Sequence, residues 1–118
     1  MDLVQFVMVE EGDDLILSFS FSEGTEFGID GFIIQRSPKY EFALFPHEKG
    51  ASIDWTEDDE IRLVKSVRLS RKTISIEAQY ESYSFDLSKI SDEEYKAIIH
   101  ILQKMNFDNR FEFLHITD

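Results

Sequence analysis

The sequence predicts an α+β domain: an antiparallel, strongly twisted β-sheet of about six to seven strands, one helix near the C-terminus packed on a sheet face, and a short final strand. Three observations lead there. Apolar and polar residues alternate with period two in several short runs, as half-buried strands require. One segment, and only one, carries apolar residues at helical spacing behind an N-cap signal. The chain has 118 residues, 42% of them hydrophobic and including eleven Phe, which suits one core and a single domain over 1–118.

Residues 3–9 are rich in β-formers, and in 15–21 Leu15, Leu17, Phe19 and Phe21 alternate with Ile16, Ser18 and Ser20. Between them Glu10-Glu11-Gly12-Asp13-Asp14 has hairpin-turn chemistry, with Gly12 free to take a positive φ. Residues 22–31 hold three glycines and read as a loop. Residues 32–36 form a third strand, Ser37-Pro38-Lys39 a turn, and residues 40–45 a fourth strand paired back onto the third. Residues 47–60 are irregular. In 61–69 Ile61, Leu63, Lys65, Val67 and Leu69 share one face, with Arg62, Val64, Ser66 and Arg68 on the other. Ile74, Ile76 and Ala78 mark another strand, followed by residues 83–87 either after a turn at Glu81-Ser82 or as one continuous strand.

Ser91-Asp92-Glu93-Glu94 is a capping box, and Tyr95, Ile98, Ile99, Leu102 and Met105 form an apolar stripe at i, i+3, i+4, i+7 and i+10. The stripe reads as core. Residues 106–110 end the helix, and Phe111, Phe113 and His115 begin a last short strand.

Chemistry-bearing motifs are missing. Cysteine is absent, which excludes disulfides, thiolate nucleophiles and Cys-based zinc sites. Gly24, Gly28 and Gly31 lack the spacing of a phosphate loop. The run at 54–60 does not follow the order of a calcium loop, and His47, His100 and His115 are far apart in the chain. The expectation is therefore a protein that is not an enzyme and holds no cofactor or metal. The start of the chain lacks a signal-peptide pattern, and no apolar run nears the roughly 20 residues of a bilayer span. A cytoplasmic location follows as an expectation.

Charge is the most informative feature. Twenty-four acids against 12 bases give a net charge of -12. That repels nucleic acid and anionic membrane and favours a basic partner. Residues 1–35 carry eight acids and no base, whereas 61–76 carry Arg62, Lys65, Arg68, Arg71 and Lys72 and no acid. Acids of neighbouring strands are expected to neutralise the basic pair. Two acidic segments are then candidate partner-binding sites: Glu10, Glu11, Asp13 and Asp14, and Asp54, Trp55, Glu57, Asp58, Asp59 and Glu60. Trp55 beside acids has the composition of a hot spot for a basic surface, although a lone Trp is more often a core anchor.

With its strand Gly31-Phe32-Ile33-Ile34-Gln35-Arg36-Ser37 after an acidic hairpin, its acidic mid-chain segment, and its strand through residues 67–76, the chain resembles the small acidic immunity proteins of bacterial polymorphic-toxin and contact-dependent growth-inhibition systems. The resemblance implies binding to a cognate toxin domain, frequently a basic nuclease, with the acids as surrogates for phosphates. It assigns no individual contact residue. Two other readings stay open: an acidic inhibitor or nucleic-acid mimic of phage type, separable by gene neighbourhood, and a small-ligand binder with a pocket between sheet and helix, separable by a thermal-shift screen.

Overall fold

The β1–β2 hairpin opens the fold, and its alternation shows which face is inside. In a computed structural model, which describes residues 1–21, 31–53 and 62–116, β1 (Asp2–Glu11) and β2 (Leu15–Phe21) pair antiparallel. Leu15, Leu17, Phe19 and Phe21 all point inward, as the period of two demands. Gly12 does not use the positive φ open to it. β3 (Gly31–Arg36) pairs with β2, β5 (Arg62–Leu69) with β6 (Thr73–Ala78), and β6 with β7 (Ser82–Asp86). The chain turns between β6 and β7 with Tyr80 at φ 79, which resolves the choice between turn and continuous strand in favour of the turn.

Eight strands form one mixed sheet among the described residues, in the order β4-β3-β2-β1-β7-β6-β5-β8. The two-residue β4 (Ser52–Ile53) pairs with β3 on one side and β5 on the other, so seven strands close into a ring. Such curling needs local bends, and two β-bulges supply them. One extra residue stands in β1 between Val4 and Phe6, and one in β5 between Val64 and Ser66. Each bulge shifts the alternation by one. Beyond it β1 turns Val7 and Val9 toward the core. In β5 the inward residues are Arg62, Val64, Val67 and Leu69, which corrects the face expected from uninterrupted alternation.

The sheet is not purely antiparallel, as had been expected, and has more strands than expected. β8 (Glu112–His115) runs parallel to β5, and β1 meets β7 in parallel over Asp2 and Leu3. The reason is the crossover β7–α1–β8. The helix carries the chain past β6 and β5, so β8 runs in the direction of β7, which is also that of β5. Residues 40–45 are not a strand. Pro38–Ala43 is a 3-10 helix, and a second 3-10 turn, Pro46–Glu48, follows.

Helix α1 (Asp92–Met105) packs chiefly against β1 and β2. Its buried face holds Ile98, Ile101, Leu102 and Met105, with Tyr95 and Ile99 at the margins, so it is wider than the predicted stripe by Ile101. Phe85 centres the core aromatics, with ring centroids 4.9 Å from Phe32, 5.0 Å from Phe21 and 5.9 Å from Phe19. No helix among the described residues is long and apolar enough to cross a membrane.

The capping box forms as the sequence predicts and does a second job. Ser91 Oγ accepts from Glu94 N at 3.1 Å, and Glu94 Oε1 accepts from Ser91 N at 3.0 Å. Its Oε2 accepts from Val7 N at 2.6 Å, on the edge of β1 that β7 leaves unpaired beyond Leu3. Glu94→Ala therefore removes the acceptor for two backbone donors. The expected cost is about 1–2 kcal/mol by urea denaturation. A loss below roughly 0.5 kcal/mol would mean that water replaces both bonds without penalty.

Candidate protein-binding surface

Alternation along β3 places Phe32, Ile34 and Arg36 on the inner side, so a guanidinium follows two apolar side chains into the interior. Arg36 is 2% exposed, and all five of its N–H groups are used. Nε and Nη2 donate to the two oxygens of Glu41, both at 2.9 Å. Nη1 and Nη2 donate to the two oxygens of Asp108 at 2.7 and 2.9 Å. Nη1 also donates to the Met105 carbonyl at 2.6 Å, at the end of α1, where a cation suits the helix dipole. The Phe107 ring lies 4.3 Å from the guanidinium carbon.

Burial works against the charge of Arg36, but its hydrogen bonds to Asp108 and Glu41 outweigh it and keep the group protonated. The same contacts hold the Asp108 and Glu41 carboxyls below the usual carboxylate range. Gly50, at φ 136, donates its N–H to Glu41 at 3.4 Å, from a backbone conformation that side-chain-bearing residues avoid.

This network explains why residues 40–45 are not a strand. Glu41 must turn inward to meet Arg36, which bends the chain into the 3-10 helix after Pro38. The flanking apolar side chains are then turned out. Tyr40 is 54% exposed, Phe42 84% and Phe45 68%, with Leu44 beside them. The strand expected here, paired back onto β3, does not form because a tertiary ion pair overrides local propensity.

The acidic β1–β2 turn adjoins this segment. Asp14 accepts from Ser37 Oγ at 2.6 Å, and Asp13 pairs with Lys39 at 3.2 Å. Glu11 reaches the helix, pairing with Lys104 and, at 2.9 Å, with His100 Nε2. Lys104 first and His100 second hold its carboxyl below the usual range. Glu10 is exposed. Three of the four predicted acids in this turn thus contact the chain itself, which sequence spacing did not reveal.

The other candidates, Asp54, Trp55, Glu57, Asp58, Asp59 and Glu60, lie outside the described residues. β4 runs antiparallel to β3, so at Ile53 the chain heads toward the Gly31 end of the sheet, away from the β1–β2 turn.

Among the described residues, two of the five bases in 61–76 form ion pairs. Arg62 pairs with Glu81, and Arg71 with Asp92 at 3.2 Å, while Lys65, Arg68 and Lys72 are exposed. Arg68 lies in an open groove on the outer sheet face, with Ser66, Ser75, Glu77, Ser84 and Glu112. Ile98, Ile101, Leu102 and Met105 fill the space between helix and sheet, each fully buried. Among the described residues no three His, Asp or Glu side chains are grouped to hold a metal ion. No family model, curated protein or solved structure matches the chain.

Proposed function

We propose that this chain is an immunity-type binding protein, which acts in the cytoplasm by capturing a cognate toxin domain of basic surface and blocking it by contact rather than catalysis. The observation that carries this reading is a net charge of -12 on a folded domain of 118 residues. An acidic tail would supply charge without shape. Here the described residues fold around an aromatic-rich core, and charge carried by a folded domain supports electrostatic complementarity to a particular partner. The sequence resemblance points the same way.

The test uses the purified C-terminal domain of the protein encoded immediately upstream. The expected result is a dissociation constant in the nanomolar range or below, on the order of 12 kcal/mol of binding free energy. The association rate should fall about tenfold or more between roughly 0.05 and 0.5 M salt. Reversing Asp58 and Asp59 to Lys should slow association several-fold, by roughly half an order of magnitude or more, and leave the melting temperature unchanged. Absence of binding by the unmodified chain would refute the reading.

A further inference from the structure

We infer that Tyr40 and Phe42, displayed on the 3-10 helix and continued by Leu44 and Phe45, form the anchoring contact for a cationic protein partner; this rests on the function proposed above and names its contact face. Phe42 is the most exposed large apolar residue among those described, at 84%. Exposed apolar residues scattered singly need no explanation, but four within six positions form a patch.

The patch is held in place. Glu41, between Tyr40 and Phe42, is locked by two hydrogen bonds to Arg36, which is itself locked to Asp108 and Met105. Backbone bonds from Tyr40 N to Ser37 O and from Leu44 N to Glu41 O set the turns on either side. A buried ion network is a weak source of net stability, because desolvation offsets most of the Coulomb attraction. What it supplies here is one fixed geometry for outward-facing aromatics. A preordered aromatic loses little conformational freedom on binding, which is how a few side chains come to dominate an interface.

The chemistry of the occupant follows from charge. Counting residues 10–14, residues 36–50, and Lys104, Asp108 and Arg110, the surroundings hold seven acids against five bases, within a chain of net charge -12. Aromatic faces in an acidic setting attract Lys and Arg side chains. The chain already makes this contact with its own cations, with Lys39 Nζ 5.9 Å from the Tyr40 ring centre and Arg36 over Phe107.

The experiment measures binding of the upstream-encoded domain to the unmodified chain, to Tyr40→Ala/Phe42→Ala, and to Met8→Ala as a control. Met8 is 63% exposed on the outer sheet face, where a similar apolar loss should not matter. The double variant should bind about tenfold to a hundredfold more weakly with an unchanged melting temperature, and the control within about twofold. Should the double variant lose its fold, Phe42→Ala alone decides by the same thresholds. Affinity kept within about twofold in the aromatic variant, or lost equally in the control, overturns the assignment while the binding function stands. A dimer of the unmodified chain that the aromatic variant dissociates also overturns it, since the occupant would then be a second copy. No binding by the unmodified chain removes the underlying reading itself.

Discussion

Replacing Arg36 with Met is expected to destabilise the domain by about 3–5 kcal/mol, the range found when one partner of a buried ion pair is removed. The substitution keeps the aliphatic stem but deletes five donors. Glu41 is then left buried without its partner, Asp108 keeps Arg110, at 2.7 Å, and the Met105 carbonyl loses the donor that Arg36 supplied. Arg36→Lys should recover a minority of the loss, because an ammonium cannot offer the planar fork that two carboxylates grip at once. Replacing Arg36, Glu41 and Asp108 together by apolar residues of similar volume should cost far less than the single change, since no charge is then stranded. Urea denaturation separates these outcomes. A loss under roughly 1 kcal/mol for Arg36→Met would show that the carboxylates turn to water at little cost. Hydrogen exchange adds a local readout: the Tyr40 and Leu44 amides, bonded to Ser37 and Glu41, should exchange faster in the variant even where the global fold survives.

Whatever depends on neighbours in the chain could be read from the sequence. The alternation from Leu15 to Phe21 gave β2 with its inward face, and the spacing of Ser91 and Glu94 gave the start of α1 with its cap. The errors arise where distant segments meet. Neither bulge carries a Gly or Pro to mark it, so the phase change that turns Arg62 and Val64 inward is set by closure of the ring, not by composition. β4 is two residues long, too short to show a period, yet it closes the sheet. Parallel β8 follows from where the crossover helix lands, which local pattern does not encode. The surface divides in the same way. The acids at Glu10–Asp14 were visible, but their pairing with Lys39, His100 and Lys104 was not. Arg36 and Asp108 are 72 positions apart, so the network that displays Tyr40 and Phe42 had one local trace, the inward parity of Arg36 after Phe32 and Ile34.

Acidification should destabilise this protein despite its excess of negative charge. Between pH 7 and 5 few carboxylates take up protons, and the melting temperature should change little. Below roughly pH 4.5 two effects diverge. Protonation of exposed acids relieves the repulsion carried by a net charge of -12, which favours the folded state. Against this stand the carboxylates held below the usual range: Glu41 and Asp108 by Arg36, Glu11 by Lys104 and His100, and Glu94 by the Ser91 amide. A carboxyl depressed in the folded state contributes stability above its unfolded pKa and loses it as pH falls toward the folded one, because the unfolded chain then binds more protons. The loss therefore begins near pH 4.5 and continues downward. The Arg36 network dominates because its charges are the least screened, and Glu41 and Asp108 together contribute on the order of 3 kcal/mol after discounting the partial exposure of Asp108. Part of this is lost by pH 3, which for a domain of this size corresponds to a fall of roughly 5–10 °C in melting temperature between pH 6 and pH 3. The repulsion term is weaker, since salt screens surface charges over about 8–10 Å. Asp108→Asn is the discriminating variant. It should be less stable than the unmodified chain at pH 7 and show a shallower decline below pH 4.5, so the two melting curves approach each other as pH falls to 3. A melting temperature that holds from pH 6 to pH 3 would mean that relief of repulsion outweighs the network, and that Arg36 grips its carboxylates far less tightly than their geometry implies.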